Sequence, residues 1–277
     1  MVEQTSPVLQ VKDLKVAVKT ERGNLPLVHA IDFELKPGRV LGLVGESGSG
    51  KTVTSLSLLQ MLDRKTTTIE GSIRLRTREL NGLKDDEMRC IRGKEIALIM
   101  QNPMNAFSPV YTIGTQFIDT IRTHTKLNKK QAAELAISSM MDVNLSTPSE
   151  LLRKYPFELS GGMLQRVMIA LSVCLKPSVI IADEPTTALD VTNQLQVLRL
   201  LNRVRQAHGT SILLISHDLG VIAELADDVA VMQHGRIVEQ ANVFELFDHP
   251  KHTYTKTLLA ARPMLQISPQ MANCIWS

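Results

Sequence analysis

Long apolar runs are missing from this chain of 277 residues. A membrane helix needs roughly 20 consecutive apolar residues, whereas the longest candidates here, such as Ile212 to Ile215, suffice only for a strand. The opening stretch from Met1 to Gln10 includes Glu3 and several polar side chains, and it lacks the basic-then-apolar order of an export signal. The expectation is a protein that is not exported and that, if it serves a membrane, works beside it. Cysteine is scarce too. Cys90, Cys174 and Cys274 are odd in number, far apart and free of any CxxC pair, which excludes a disulfide framework or zinc knuckle and suits a reducing compartment. Nor is there an excess of one charge: 31 basic residues against 28 acidic ones leave +3, without a Lys/Arg block, so no electrostatic footprint for nucleic acid is present. No internal repeat or low-complexity tract is found.

What is there is a globular composition, 44% hydrophobic and 21% charged, in a chain long enough to bury a core without covalent staples. Short apolar runs alternate with amphipathic stretches, the pattern of a parallel sheet covered by helices. Val40 to Val44, Ile96 to Met100, Val179 to Ala182 and Ile212 to Ile215 read as buried strands closed by Gly, Pro or polar residues. Asp190 caps a helix with Val191, Leu195, Leu198 and Leu201 on one face. Residues 103–175 read as an inserted helical subdomain, with Asn128 and Gln131 forming a capping box before Lys129 to Met141. Val8 to Lys36, turning at Arg22-Gly23-Asn24, and Gly71 to Leu75 suggest an antiparallel sheet beside the core. Val229 to Gln240 reads as a hairpin turning at His234-Gly235, and the tail from Asp248 as irregular.

Gly45-Glu46-Ser47-Gly48-Ser49-Gly50-Lys51-Thr52 fits GxxxxGK[ST]. Alone it could be a flexible Gly/Ser turn, but a strand precedes it and a helix, Val53 to Leu62, follows, as a phosphate-binding loop requires. The glycines let backbone N–H groups wrap phosphate oxygens at a helix N-terminus. Lys51 can then neutralise the β/γ-phosphates, and Thr52 can offer its hydroxyl to Mg2+. A second feature is Asp183-Glu184, two carboxylates ending an apolar strand. That is unfavourable unless they reach a cleft at the strand's end, where Asp183 can hold Mg2+ and Glu184 can polarise water. As an isolated pair they could equally favour a helix N-terminus. A third is Leu159-Ser160-Gly161-Gly162-Met163 followed by Gln165-Arg166, which opens an apolar helix and can act as a second anion cradle.

With these motifs in order, the chain resembles the ABC ATPase family over residues 8–262, leaving 263–277 as an irregular tail. The resemblance implies a P-loop NTPase (RecA-like) α/β fold, with a parallel-sheet core, an antiparallel β subdomain and the helical insert. It makes Gly45 to Thr52 Walker A, Val179 to Glu184 Walker B and Leu159 to Met163 the signature, with Gln165 beside it. It adds Gln101 as Q-loop glutamine and Mg2+ contact, Ala188-Leu189-Asp190 as D-loop and His217 as switch histidine. The implied chemistry is hydrolysis of ATP with Mg2+, in-line attack of water being assisted by Glu184 as general base and His217 at the γ-phosphate. Each nucleotide would lie between one cassette's P-loop and a second cassette's signature. The implied partners are that second ABC ATPase subunit in a heterodimer, two transmembrane permease subunits and an extracytoplasmic solute-binding protein, with the chain peripheral on the cytoplasmic face of the membrane.

More narrowly, the chain resembles the nickel, dipeptide and oligopeptide importer group through Ile99-Met100-Gln101-Asn102-Pro103, Tyr155-Pro156-Phe157-Glu158 and His249-Pro250-Lys251-His252-Thr253. Gly162 to Arg166 together with Leu225 to Met232 is most similar to its nickel-importing branch. Nickel is therefore the expected cargo, with peptides or metal chelates as the alternative. The tail holds only Cys274, so the iron–sulfur extension of many peptide-importer relatives is not expected. His249 and His252 read as a solvated turn rather than nickel ligands. Val16-Ala17-Val18 lacks the aromatic on which many relatives stack adenine, which implies weakened base selectivity. Phe107, Tyr111 and Phe117 suit either a cleft for a permease helix or plain core. A soluble ABC ATPase of another class would show a coiled-coil insertion or a second set of motifs, and an exporter subunit would more often be fused to membrane helices.

Overall fold

The computed structural model describes residues 6–187 and 190–261. The chain opens with two long antiparallel strands, β1 (Leu9–Thr20) and β2 (Gly23–Leu35). It then crosses to β3 (Val40–Val44) and, through residues 45–50, to helix α1 (Lys51–Leu58). Next come β4 (Thr67–Leu75), the short β5 (Arg78–Glu79), α2 (Asp85–Ile91) and β6 (Ile96–Ile99). Between β6 and the next strand the chain is helical: α3 (Ile113–His124), α4 (Lys129–Asp142), α5 (Pro148–Leu151) and α6 (Gly161–Val173). The order then runs β7 (Val179–Asp183), α7 (Val191–His208), β8 (Ser211–Ser216), α8 (Leu219–Leu225), β9 (Asp228–Gln233), β10 (Arg236–Asn242), α9 (Val243–Asp248) and α10 (Thr253–Ala260).

Two sheets result. β2-β1-β4-β5 is antiparallel, and the six-stranded sheet runs β10-β9-β3-β8-β7-β6. In the second, β9, β3, β8, β7 and β6 pair in parallel, while β10 returns antiparallel to β9. β3, β7 and β8 are buried at every residue, as expected of strands covered on both faces. Their side chains alternate between two cores. Val40, Val44, Ile180, Ile212 and Leu214 pack with the helices, including Phe117, Met140 and Ile169. Leu41, Leu43, Ile181, Leu213 and Ile215 pack with the antiparallel sheet through Val11, Phe33 and Ile73. The period-2 geometry of a strand thus joins the two halves of the molecule across one sheet.

Local chemistry sets the element ends. The Asn128 side chain accepts from Gln131 N at 3.0 Å while Gln131 Oε1 accepts from Asn128 N at 3.0 Å, the reciprocal box expected at that helix. Asp190 Oδ1 accepts from Asn193 N at 2.9 Å to start α7, whose Leu198 and Leu201 are buried. His234 and Gly235 both adopt positive φ, 47° and 74°, between β9 and β10, the conformation a two-residue hairpin demands. Phe107 and Phe117 are core residues, whereas Tyr111 is 56% exposed. Among the described residues no helix is long and apolar enough to cross a membrane.

Two expectations change. The helix after the phosphate loop begins at Lys51 rather than Val53 and stops at Leu58 rather than Leu62, because Gln60 turns left-handed at φ 49°. The tail is not irregular from Asp248: His252 Nδ1 accepts from Tyr254 N at 3.2 Å and caps helix α10. A histidine taken for part of a solvated turn therefore starts a helix. Ala188 and Leu189, and the tail beyond Ala261 with Cys274, lie outside the described residues.

Candidate functional site

The sheet order brings four strand ends together. β3, β8, β7 and β6 are parallel neighbours, so the residues that follow them emerge side by side at one edge. These are the loop from Gly45, His217, Glu184 and Gln101. Ligands of open α/β sheets bind outside the carboxyl ends of the strands.

The loop is held from several sides. Lys51 is 5% exposed, and its ammonium donates to the carbonyls of Gly45 at 2.7 Å and Glu46 at 2.8 Å. Burial lowers its pKa, while the charges of Glu184, Asp183 and Glu46 oppose that shift. Gly235 N donates to Ser49 O at 2.9 Å, so the β9–β10 turn clamps the loop. A Cβ on Gly45 would stand 2.1 Å from the Met232 carbonyl oxygen, which only glycine avoids. At the start of α1 the first N–H groups have no partners within the helix, and with the helix dipole they form a cradle suited to phosphate.

Asp183 is 7% exposed. Its Oδ2 accepts from Ser55 Oγ at 3.0 Å, and its Oδ1 lies 3.4 Å from Thr52 Oγ1. Burial raises its pKa, the Ser55 and Thr52 hydroxyls act against the shift, and neighbouring Glu184 adds to it. A hydroxyl facing a buried carboxylate beside the phosphate loop is an all-oxygen donor set, which fits Mg2+ and not a soft metal.

Glu184 sits at φ 48°, a left-handed conformation uncommon outside glycine. Its backbone N donates to Ile215 O at 2.9 Å, pinning the turn to β8. The carboxylate then meets three partners: His217 Nδ1 at 3.1 Å on Oε1, and Gln101 Nε2 at 3.1 Å and Thr187 Oγ1 at 2.9 Å on Oε2. His217 is the more open partner, its side chain 52% exposed against 15% for Glu184. Residues from three separate strand ends therefore converge on one carboxylate, an arrangement able to accept a proton from a bound water and to sense what lies beside it.

Ser160 and Gly161 are exposed at the start of α6, where Ser160 Oγ accepts from Met163 N at 3.4 Å. No hydrogen bond joins Ser160, Gly161 or Gly162 to the phosphate loop among the described residues. Gln165, expected with them at the nucleotide, is instead 3% exposed and donates to Pro185 O at 2.9 Å. One helical turn past the exposed start, its side chain points into the protein and ties α6 to the turn after Glu184. Sequence reasoning also missed Ser55, Thr187 and Tyr254, whose hydroxyl accepts from Glu46 N at 3.0 Å. Ser55, four residues after Lys51 on the same helix face, carried a readable spacing; the other two depend on tertiary contacts.

Comparison with known proteins agrees with this geometry. Residues 28–187 match the family model described as "ABC transporter". The chain is 43% identical over 92% of its length, and 76% of the relative's, to a probable peptide ABC transporter ATP-binding protein of Sinorhizobium fredii. It is 42% identical over 98% of its length, and 83% of the relative's, to the oligopeptide transport ATP-binding protein AppD of Bacillus subtilis. Among solved structures, the dimeric MJ0796, a bacterial ABC transporter cassette, superposes with a TM-score of 0.75 at 22% identity, covering 85% of this chain and 98% of that one. CbiO1 of Clostridium perfringens gives 0.73 at 23% identity, covering 88% and 92%. Both carry the same cassette fold. The chain belongs to the ABC transporter family, as an ATPase cassette that binds ATP with Mg2+ and couples its hydrolysis to transport.

Proposed function

We propose that this chain energises an importer of di- or oligopeptides. The observation that carries the cargo class is the 42–43% identity, over more than nine-tenths of the chain, to relatives named for peptide transport. These favour peptides over the nickel expected from Gly162 to Arg166 and Leu225 to Met232.

In the reaction, Lys51 and the N–H groups at the end of the loop and the start of α1 hold the β- and γ-phosphates. Thr52 and Asp183 would hold Mg2+, aided by Gln101, and the ion would supply positive charge to offset the charge that develops on the phosphates. Glu184 accepts the proton of the attacking water, and His217 orients it and contacts the γ-phosphate. The three donors around Glu184 keep its carboxylate aimed at one place, so little reorganisation is needed when charge moves. Ser160, Gly161 and Gly162 at the start of α6 face outward to cover the nucleotide of a second cassette. The site is thus completed by pairing, and hydrolysis loosens the pair. Residues 8–262 act as a single cassette whose helical insert at 103–175 receives the permease. The chain works at the cytoplasmic face of the membrane with a second ATPase subunit, two permease subunits and an extracytoplasmic binding protein.

The cargo is tested by uptake of a radiolabelled dipeptide and of 63Ni2+ into cells with and without this chain, the other transporter subunits being present. Loss of dipeptide uptake alone is expected. Loss of nickel uptake with peptide uptake intact would restore the nickel reading.

A further inference from the structure

Tyr254 lies on α10, outside every nucleotide motif, yet its side chain meets the phosphate loop. The residue is 8% exposed, and its hydroxyl oxygen accepts from Glu46 N at 3.0 Å. The carbonyl of the same Glu46 accepts from Lys51 Nζ at 2.8 Å. One loop residue is therefore gripped at its N–H by Tyr254 and grips the catalytic ammonium at its C=O. The Glu46 N–H also shares one planar peptide with the Gly45 carbonyl, which accepts from Lys51 Nζ at 2.7 Å, so fixing the N–H direction fixes that carbonyl as well.

The support behind Tyr254 is itself built. Glu239 on β10 accepts from Lys251 N at 2.8 Å and from His252 N at 3.0 Å, and two hydrogen bonds to a carboxylate are strong by protein standards. His252 then caps α10 by accepting from Tyr254 N. Burial pushes the phenol pKa upward, so the hydroxyl stays protonated at neutral pH and its lone pairs serve Glu46. A path of hydrogen bonds runs from β10, through the turn at 251–252, to the loop.

We infer that Tyr254 is a positioning residue for the nucleotide site, fixing the first peptides of the phosphate loop so that Lys51 is presented to the phosphates. The inference rests on the reading that this loop binds MgATP. Tyr254→Phe keeps the ring and removes only the acceptor. On the purified full-length chain, equilibrium titration with MgATP should show affinity weakened roughly three- to tenfold, the range for one hydrogen bond lost to a part-buried N–H. Hydrogen–deuterium exchange at Glu46 should quicken, and the thermal midpoint should fall by no more than about 4 °C. Lys51→Ala is run beside it. If Lys51→Ala binds MgATP normally, the phosphate-loop reading itself falls. If Lys51→Ala loses affinity while Tyr254→Phe matches wild type in affinity, the inference is overturned, even where the midpoint drops, because the bond then serves stability alone.

Discussion

Replacing Gly45 by alanine tests how tightly the phosphate loop is enclosed. The new Cβ would lie 2.1 Å from the Met232 carbonyl oxygen and 2.9 Å from Ser49 Oγ, where a real Cβ essentially never comes within 3.0 Å. The serine hydroxyl can rotate away. The Met232 carbonyl cannot, because it belongs to β9, which is paired with β3 on one side and β10 on the other. The loop or the hairpin must shift by about 0.9 Å, the gap between 2.1 and 3.0 Å. Overpacking of this kind costs about 1 to 3 kcal/mol, and in a chain of this size each kcal/mol lowers the thermal midpoint by about 2 to 4 °C. Differential scanning calorimetry should therefore record a fall of about 2 to 12 °C. MgATP affinity should drop too, since Lys51 is bonded to the Gly45 carbonyl. A Gly45→Ala protein with wild-type midpoint and wild-type affinity would refute the packing argument.

Asp183→Asn separates stability from function. A carboxyl whose pKa is raised by folding binds more protons folded than unfolded, so its contribution falls as pH rises from the ordinary value of 3.8 through the folded value. At neutral pH the charged group thus costs stability. Asp183→Asn should have an equal or higher thermal midpoint at pH 7 while Mg2+-dependent hydrolysis is lost; a clearly lower midpoint would contradict the sign. Thiol reactivity provides another check. Burial pushes the Cys174 thiol up to about 12, whereas Cys90 is exposed, so iodoacetamide at pH 8 followed by peptide mass spectrometry should label Cys90 and spare Cys174. Equal labelling of both in the native protein would be inconsistent with the packing around α6.

Much of the site was legible because its chemistry is local in sequence. Gly45 to Thr52 needs only a strand before it and a helix after it, and Asp183-Glu184 betrayed themselves by following four apolar residues. The capping box at Asn128 and the positive-φ turn at His234-Gly235 were equally visible, since each is decided by neighbouring residues. Contacts set by the strand order were not legible. Nothing near Glu184 in sequence says that Gln101 and His217 will flank it, because that follows from β6 and β8 lying on either side of β7. Gln165 was misassigned because its motif gives a position but not a direction: one turn into α6, a side chain faces the core. The tail was misread because Thr253–Ala260 is short and weakly patterned, and the contact that gives it a purpose, Tyr254 to Glu46, spans 208 residues.

The central claim is that Glu184, held by His217, Gln101 and Thr187, takes the proton from the water that attacks ATP. Glu184→Gln preserves size and hydrogen bonding while removing the base. In the assembled transporter, steady-state ATP hydrolysis should fall by about 100-fold or more, the usual worth of a positioned general base, with MgATP affinity of the full chain unchanged. Hydrolysis within twofold of wild type would contradict the account and remove Glu184 from its place in the reaction.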